Sequence, residues 1–431
     1  MRHRSGIYRT IASAAAGMAL VLSSACGTSG PVRGGLQVWA LQDPANEPII
    51  KRGIEQFNAA SGTRAALTTY ANDAYKQKLQ VSMGSPNAPD VFFNWGGGNL
   101  AQFVKANQVR DLTNALAVRP EVAKRFLPSV LDVGKINGHQ YGIPMNGIQP
   151  VILFYNKRVF SEAGVQPPKT YDDLLALVEL FKARGITPVA LAGSQGWTEL
   201  MWLEYLLDRV GGAEKFAAIA AGKAGAWRDP AVLQALTMCQ DLAARGAFGK
   251  NFASVNYDNS GASKLFATGK AAMHLMGSWE YGSQAANNPK FLARGELGWV
   301  TFPEVTGGKG DPRAVVGNPS NYFSVRSDSP AADAATRFVV ETLASDDYVA
   351  DLIAAGQVPA VRGVEDKLAG THNAEFTTFT YQLAVKAPTF TQSWDQALSP
   401  SAGAELNTNL QKLFLRDISP QGFVEAMEKA K

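Results

Sequence analysis

The chain offers few groups for covalent chemistry. Its four histidines, His3, His139, His274 and His372, are scattered through 431 residues, and no HExxH, CxxC or GxSxG spacing sets a metal ligand or nucleophile beside a partner. Glu199, Glu204 and Glu280 could be nominated as the paired carboxylates of a glycoside hydrolase, but the separation such an enzyme needs cannot be read from one chain. No catalytic residue, metal site or cofactor is therefore expected. What the chain does hold is equipment for binding: indole faces with amide and carboxylate side chains at the exits of strand-like runs. Trp39, Gln42 and Asn46 stand at and after "LQVWAL", Asn94 and Trp95 end "PDVFFNW", and Trp279 and Glu280 leave the apolar run "AAMHLMG". Trp197 follows a Gly-Ser-Gln-Gly loop and opens an apolar helix; Asn318 lies in "VVGNPSNYFSV", where turn formation explains Asn and Pro as well as binding does. Trp394, in "FTQSWDQAL", reads as core.

The glycine run in "DVFFNWGGGNL" matches neither the GxGxxG spacing of dinucleotide sites nor the GxxxxGK[ST] of a phosphate loop, and no Lys or Arg lies within it. The glycines are expected to do more than turn the chain. They should let a neutral, hydroxylated ligand approach Asn94 and Trp95.

The elements that must position these residues are an alternation of short strands and amphipathic helices. "LQVWAL" precedes a helix with Ile49, Ile50, Ile54 and Phe57 on one face, stopped at Ser61-Gly62; "RAALTTY" precedes a second from Asp73 to about Met83. That pattern predicts an α/β layered lobe, with ligands beyond the carboxyl ends of the strands. Asn137-Gly138 predicts a type I′ hairpin, and Thr170 with Asp173 predicts a helix start. Cys239, in a helical run, reads as core.

At the N-terminus Arg2, Arg4 and Arg9 precede the apolar run Ile11 to Leu22, a signal-peptide pattern over 1–25, too short for a bilayer span. Ser23-Ser24-Ala25-Cys26 resembles a bacterial lipobox, with Ser23 in place of the usual aliphatic residue, so Cys26 is expected to carry the lipid anchor and 26–35 to form a tether. Removing three arginines and no acid takes the net charge from +4 to +1, which calls for no nucleic-acid partner. The 406 residues left are too many for one core and imply two lobes.

"NGHQYGIP", "LFYNKRVFSEAGVQPPKTYDDLLAL" and "FATGKAAMHLMGSW", in this order, resemble the extracellular family 1 solute-binding proteins, the sugar-capturing lipoproteins of bacterial ABC importers. The resemblance runs from about Leu36 to the C-terminus. It implies an α/β, two-lobed periplasmic-binding-protein-like fold of type II, the lobes joined by crossing hinge segments. By the family's pattern 36–145 and 272–311 form lobe one, and 146–271 and 312–431 form lobe two. It sets Trp279 as the GxW tryptophan that stacks on a sugar ring, brings the Trp197 loop into the cleft, and puts Gln357 near the cleft mouth. It further implies an oligosaccharide ligand, ABC permease subunits as membrane partners, a monomer, and an extracytoplasmic location at the cell membrane. "WALQDPANEP" and "FFNWGGGNL" are similar to the xylobiose and xylo-oligosaccharide receptors. A cell-surface glycoside hydrolase and a peptide or protein receptor on the same fold are the competing expectations.

Overall fold

The computed structural model describes residues 35–430, so the expected signal peptide, Cys26 and the tether up to residue 34 lie outside the described residues. The described chain opens with β1 (Leu36–Leu41), β2 (Ala65–Tyr70) and β3 (Val91–Asn94), parallel strands with β1 in the middle. The helix Glu47–Ser61 buries Ile49, Ile50, Ile54 and Phe57 along one stripe, and Gly62 ends it at φ 67°, a conformation that costs glycine little. A second helix, Asn72–Ser82, joins β2 to β3. Then come β4 (Lys135–Ile136) and β5 (His139–Gln140), whose turn has positive φ at both Asn137 and Gly138 as type I′ geometry demands, and the short β6 (Ile143–Pro144).

Residues 145–148 lead into a second sheet: β7 (Gln149–Asn156), β8 (Thr187–Ala190), β9 (Ala271–Gly277), β10 (Leu297–Val300) and β11 (Val315–Asn318). β12 (Tyr322–Val325) returns to the first sheet, antiparallel between β3 and β6, and β13 (Phe390–Gln392) joins the second, parallel to β11. The orders are β2-β1-β3-β12-β6 and β13-β11-β7-β9-β8, with β10 pairing the half of β7 that β11 leaves free. Each sheet carries its own apolar core: one draws on 36–148 and 323–368, the other on 151–316 and 376–427. Two α/β lobes result.

The segment 272–311, expected in lobe one, belongs to lobe two. All seven residues of β9 are buried, and it is hydrogen-bonded to β7 on one side and β8 on the other. Residues 322–368, expected in lobe two, carry β12 and pack in lobe one. A largely apolar strand, here with His274 as its one polar side chain, announces that it is central but not whose neighbour it is, because pairing is set by partners distant in sequence. The first crossing lies near Asn146, the return is at Pro319–Asn321, and a third crossing falls between Leu368 and Phe376. The first two crossings are stitched side by side: Met145 N–H donates to Asn321 O (2.8 Å), Asn146 Nδ2 to Asn321 Oδ1 (3.0 Å) and Ser320 Oγ to Asn146 O (2.9 Å).

Local signals fare better. Thr170 and Asp173 form a full capping box on the helix Tyr171–Ala183, Cys239 is buried, and Trp394 stacks on Phe216 at 4.4 Å within the lobe-two core. Among the described residues no helix is long and apolar enough to cross a membrane.

Candidate binding cleft

Between the lobes lies a cavity of about 180 Å³, walled mainly by residues just beyond strand ends. Lobe one supplies Gln42, Asp43 and Asn46 after β1, Asn72 and Lys76 after β2, and Trp95 after β3. Lobe two supplies Trp197 at the start of the helix Gly196–Gly211, Tyr257 and Asp258 from a loop, Trp279 after β9, Asn318 at the end of β11, and Asp395 after β13. Asn146 and Asn321, the paired crossing residues, also face it.

Of the residues singled out from sequence, Gln42, Asn46, Trp95, Trp197, Trp279 and Asn318 line this cavity. The other four do not, and each has a physical reason. Trp39 sits inside β1, two residues short of its end, where its ring meets Tyr70 edge-on at 5.1 Å and the Lys78 ammonium lies 5.4 Å away. Asn94 is wholly buried, donating to Ser324 Oγ (2.8 Å) and accepting from Gly96 N–H (2.9 Å), so it ties β3 to β12 and shapes the turn. Glu280 is buried next to Trp279 in sequence, accepting from Ser263 Oγ (3.0 Å) and Gln284 Nε2 (2.6 Å) with His274 Nε2 at 3.9 Å. Burial raises its pKa, against the pull of His274. Gln357 accepts from Gly147 N–H (3.0 Å) and donates to Asn46 Oδ1, which makes it a support for Asn46.

The glycine run also has a different role from the one expected. A Cβ on Gly97 would meet Gln392 Oε1 (2.5 Å), and one on Gly98 would meet the main-chain carbonyls of Ala397 (2.6 Å) and Leu398. These atoms belong to lobe two. The glycines admit the opposite lobe, and the turn itself needs positive φ at Gly96 (72°) and Gly97 (54°).

Tyr257, Asp258, Lys76 and Asp395 are cavity residues that sequence reasoning missed. Tyr257 and Asp258 lie in an irregular loop without periodicity, fixed from outside by Gln195: Tyr257 N–H donates to Gln195 Oε1 (2.7 Å), and Gln195 Nε2 donates to Asp258 Oδ2 (3.0 Å). The result is an aromatic wall, with Trp197 edge-on to Tyr257 at 4.7 Å and 6.4 Å from Trp279. Gly277 is its hidden requirement, since a Cβ there would overlap the Trp279 ring.

Facing that wall, lobe one presents polar groups held in place. Asp43 accepts from Ala45 N–H (2.9 Å) and from Asn46 Nδ2 (2.6 Å); burial nevertheless raises its pKa. Burial also raises the pKa of Asp258, with the charge of Asp73 adding to the effect. Lys76 lies 5.0 Å from the Trp95 ring and pairs with Asp395 at 3.3 Å. Asn146 Oδ1, Asn318 Oδ1 and Trp197 Nε1 are buried without a protein partner. Groups left so are costly unless something else satisfies them, which suits a ligand rich in hydroxyls. The nominated hydrolase carboxylates Glu199 and Glu204 lie within the helix Gly196–Gly211, off the cavity wall, where burial pushes them up to about 9 and about 8.

Residues 40–350 match the bacterial extracellular solute-binding protein family, and the chain belongs to that family. It is 30% identical to the multiple sugar-binding protein of Streptococcus mutans over 60% of this chain and 63% of that one. With the diacetylchitobiose binding protein of Streptomyces coelicolor it shares 25% identity over 79% and 76% of the two chains. The first relatives are matched over 46% to 63% of their own length. Among solved structures, one from a study of xylan utilization by the thermophilic bacterium Caldanaerobius polysaccharolyticus superposes with a TM-score of 0.82 at 27% identity, over 92% of this chain and 99% of that one. A chitin oligosaccharide binding protein follows at 0.81 and 25%, covering 92% and 97%.

Proposed function

We propose that this chain captures a neutral di- or oligosaccharide between its lobes and delivers it to the permease subunits of an ABC importer, anchored outside the cytoplasmic membrane through Cys26. The observation that carries this reading is the aromatic wall of Trp197, Tyr257 and Trp279 set against amides, with the buried atoms Asn146 Oδ1 and Asn318 Oδ1 unpartnered in the cavity. Indole faces suit the C–H surfaces of sugar rings, and the amides and carboxylates suit their hydroxyls. The ligand class preferred is xylobiose and longer xylo-oligosaccharides. The likeness to the structure from the xylan study supports it, and the likeness to chitin-oligosaccharide and diacetylchitobiose binders makes chitobiose the nearest competitor.

Titration calorimetry of the full chain against xylobiose, cellobiose, chitobiose and maltose tests the reading. Saturable binding of one of them is expected, with affinity falling by at least about 2 kcal/mol, or roughly thirtyfold, in Trp279→Ala. Binding of none, or release of reducing ends over hours, would overturn it.

A further inference from the structure

We infer that the closed form is held by a direct seam between the lobes, the turn Gly97-Gly98 of lobe one against residues 392–398 of lobe two, and that Gly98 is the residue on which closure depends. The inference rests on the proposed function, capture of a ligand between the lobes, and adds that the lobes close on that ligand. The two sides belong to different cores: Leu100 and Phe103, on the helix that begins at Gly97, pack in lobe one, whereas Trp394 packs in lobe two.

Three contacts cross the seam. Gln392 Nε2 donates to Trp95 O at 2.7 Å, Lys76 Nζ pairs with Asp395 Oδ2 at 3.3 Å, and the bare Cα of Gly98 lies against the carbonyls of Ala397 and Leu398. Trp95, Lys76 and Asp395 also line the cavity, so the seam forms one edge of the binding site. A ligand that draws the lobes together and the seam that joins them therefore stabilise the same state.

Gly98 differs from its neighbours in a way that makes this testable. Gly96 and Gly97 have positive φ, so a side chain there strains lobe one in any state, but Gly98 lies in the first turn of a helix with ordinary dihedrals. The nearest atoms a Cβ there would meet are main chain of the other lobe, which cannot swing aside as a flexible side chain can. Alanine is also the better helix former. Gly98→Ala should leave lobe one intact and obstruct closure alone.

The test uses the full chain without ligand. A carbodiimide condenses a lysine amine with a carboxylate in contact, taking up the lost water as it becomes a urea, and peptide mass spectrometry reads the Lys76–Asp395 amide. Wild type should give this product, and Gly98→Ala at least fivefold less, with an unfolding midpoint equal to or above that of wild type. Gln392→Ala, which adds no bulk, should also lower the yield. No product in wild type, equal yield in the variants, or a lowered ligand-free midpoint for Gly98→Ala would overturn the inference, the last by showing a permanent packing contact. A sugar titration of the same samples judges the saccharide reading separately: cross-linking without any sugar binding leaves the seam standing and removes the ligand.

Discussion

Trp279 can present its ring to a ligand because the residue two before it has no side chain. A Cβ on Gly277 would fall inside the indole, and the strand behind it is packed on both edges and cannot retreat. Gly277→Ala should therefore rotate the ring off its position, lowering sugar affinity about tenfold and costing roughly 1–3 kcal/mol of stability through overpacking. Calorimetry checks the first and denaturant unfolding the second; unchanged affinity would show that the ring position does not matter. Trp279 was singled out through the resemblance and Gln42 and Asn46 by their place after a strand, whereas nothing in the sequence marked the space that Gly277 leaves for the indole. Asn94 and Glu280 were misread for a shared reason: a polar residue at a strand exit faces either the cleft or the next element, and only tertiary packing decides.

At the scale of elements, the helix Gly196–Gly211 is the most demanding piece, because it holds Trp197 at the cavity while burying three carboxyl groups, Glu199, Glu204 and Asp208, the last paired with Arg209. Glu204 accepts from Trp394 N–H and Ser393 Oγ, both at 2.8 Å, whereas Glu199 Oε2 has no partner and its carboxyl is pushed up by burial alone, to about 9. A folded-state pKa above the unfolded one means that the native state binds the extra proton between the two values, so the contribution of Glu199 to stability is greatest below about 4.5 and is lost as pH rises toward about 9. Melting temperature should accordingly fall across that window, and Glu199→Gln should flatten its share of the slope. A variant with the same slope as wild type would place the titration elsewhere. The sequence marked this helix by its apolar run and the loop before it, and the caps and hairpin by turn chemistry. It gave no sign of the Tyr257 loop, whose conformation is imposed by Gln195, 62 residues away in the chain.

In the whole molecule, two cores share one chain that passes between them three times, and the first two passages are bonded to each other through Asn146 and Asn321. That two lobes exist followed from length and strand–helix alternation. Which strands belong to which lobe did not, because β9 and β12 join sheets through partners far away in sequence. With separate cores and a narrow hinge, the lobes need not unfold together, so ligand-free calorimetry should show a broadened transition whose van't Hoff enthalpy is smaller than its calorimetric one. A ligand that touches both walls binds only while both lobes are folded. At about one hundred times its Kd it adds roughly 2.7 kcal/mol to the native state and couples the two unfolding steps. Saturating sugar should therefore raise the midpoint and bring the two enthalpies together. A ligand that raised the midpoint of one lobe and left the transition broad would be bound to a single wall, and the cavity between Trp279 and Asn46 would not be where it sits.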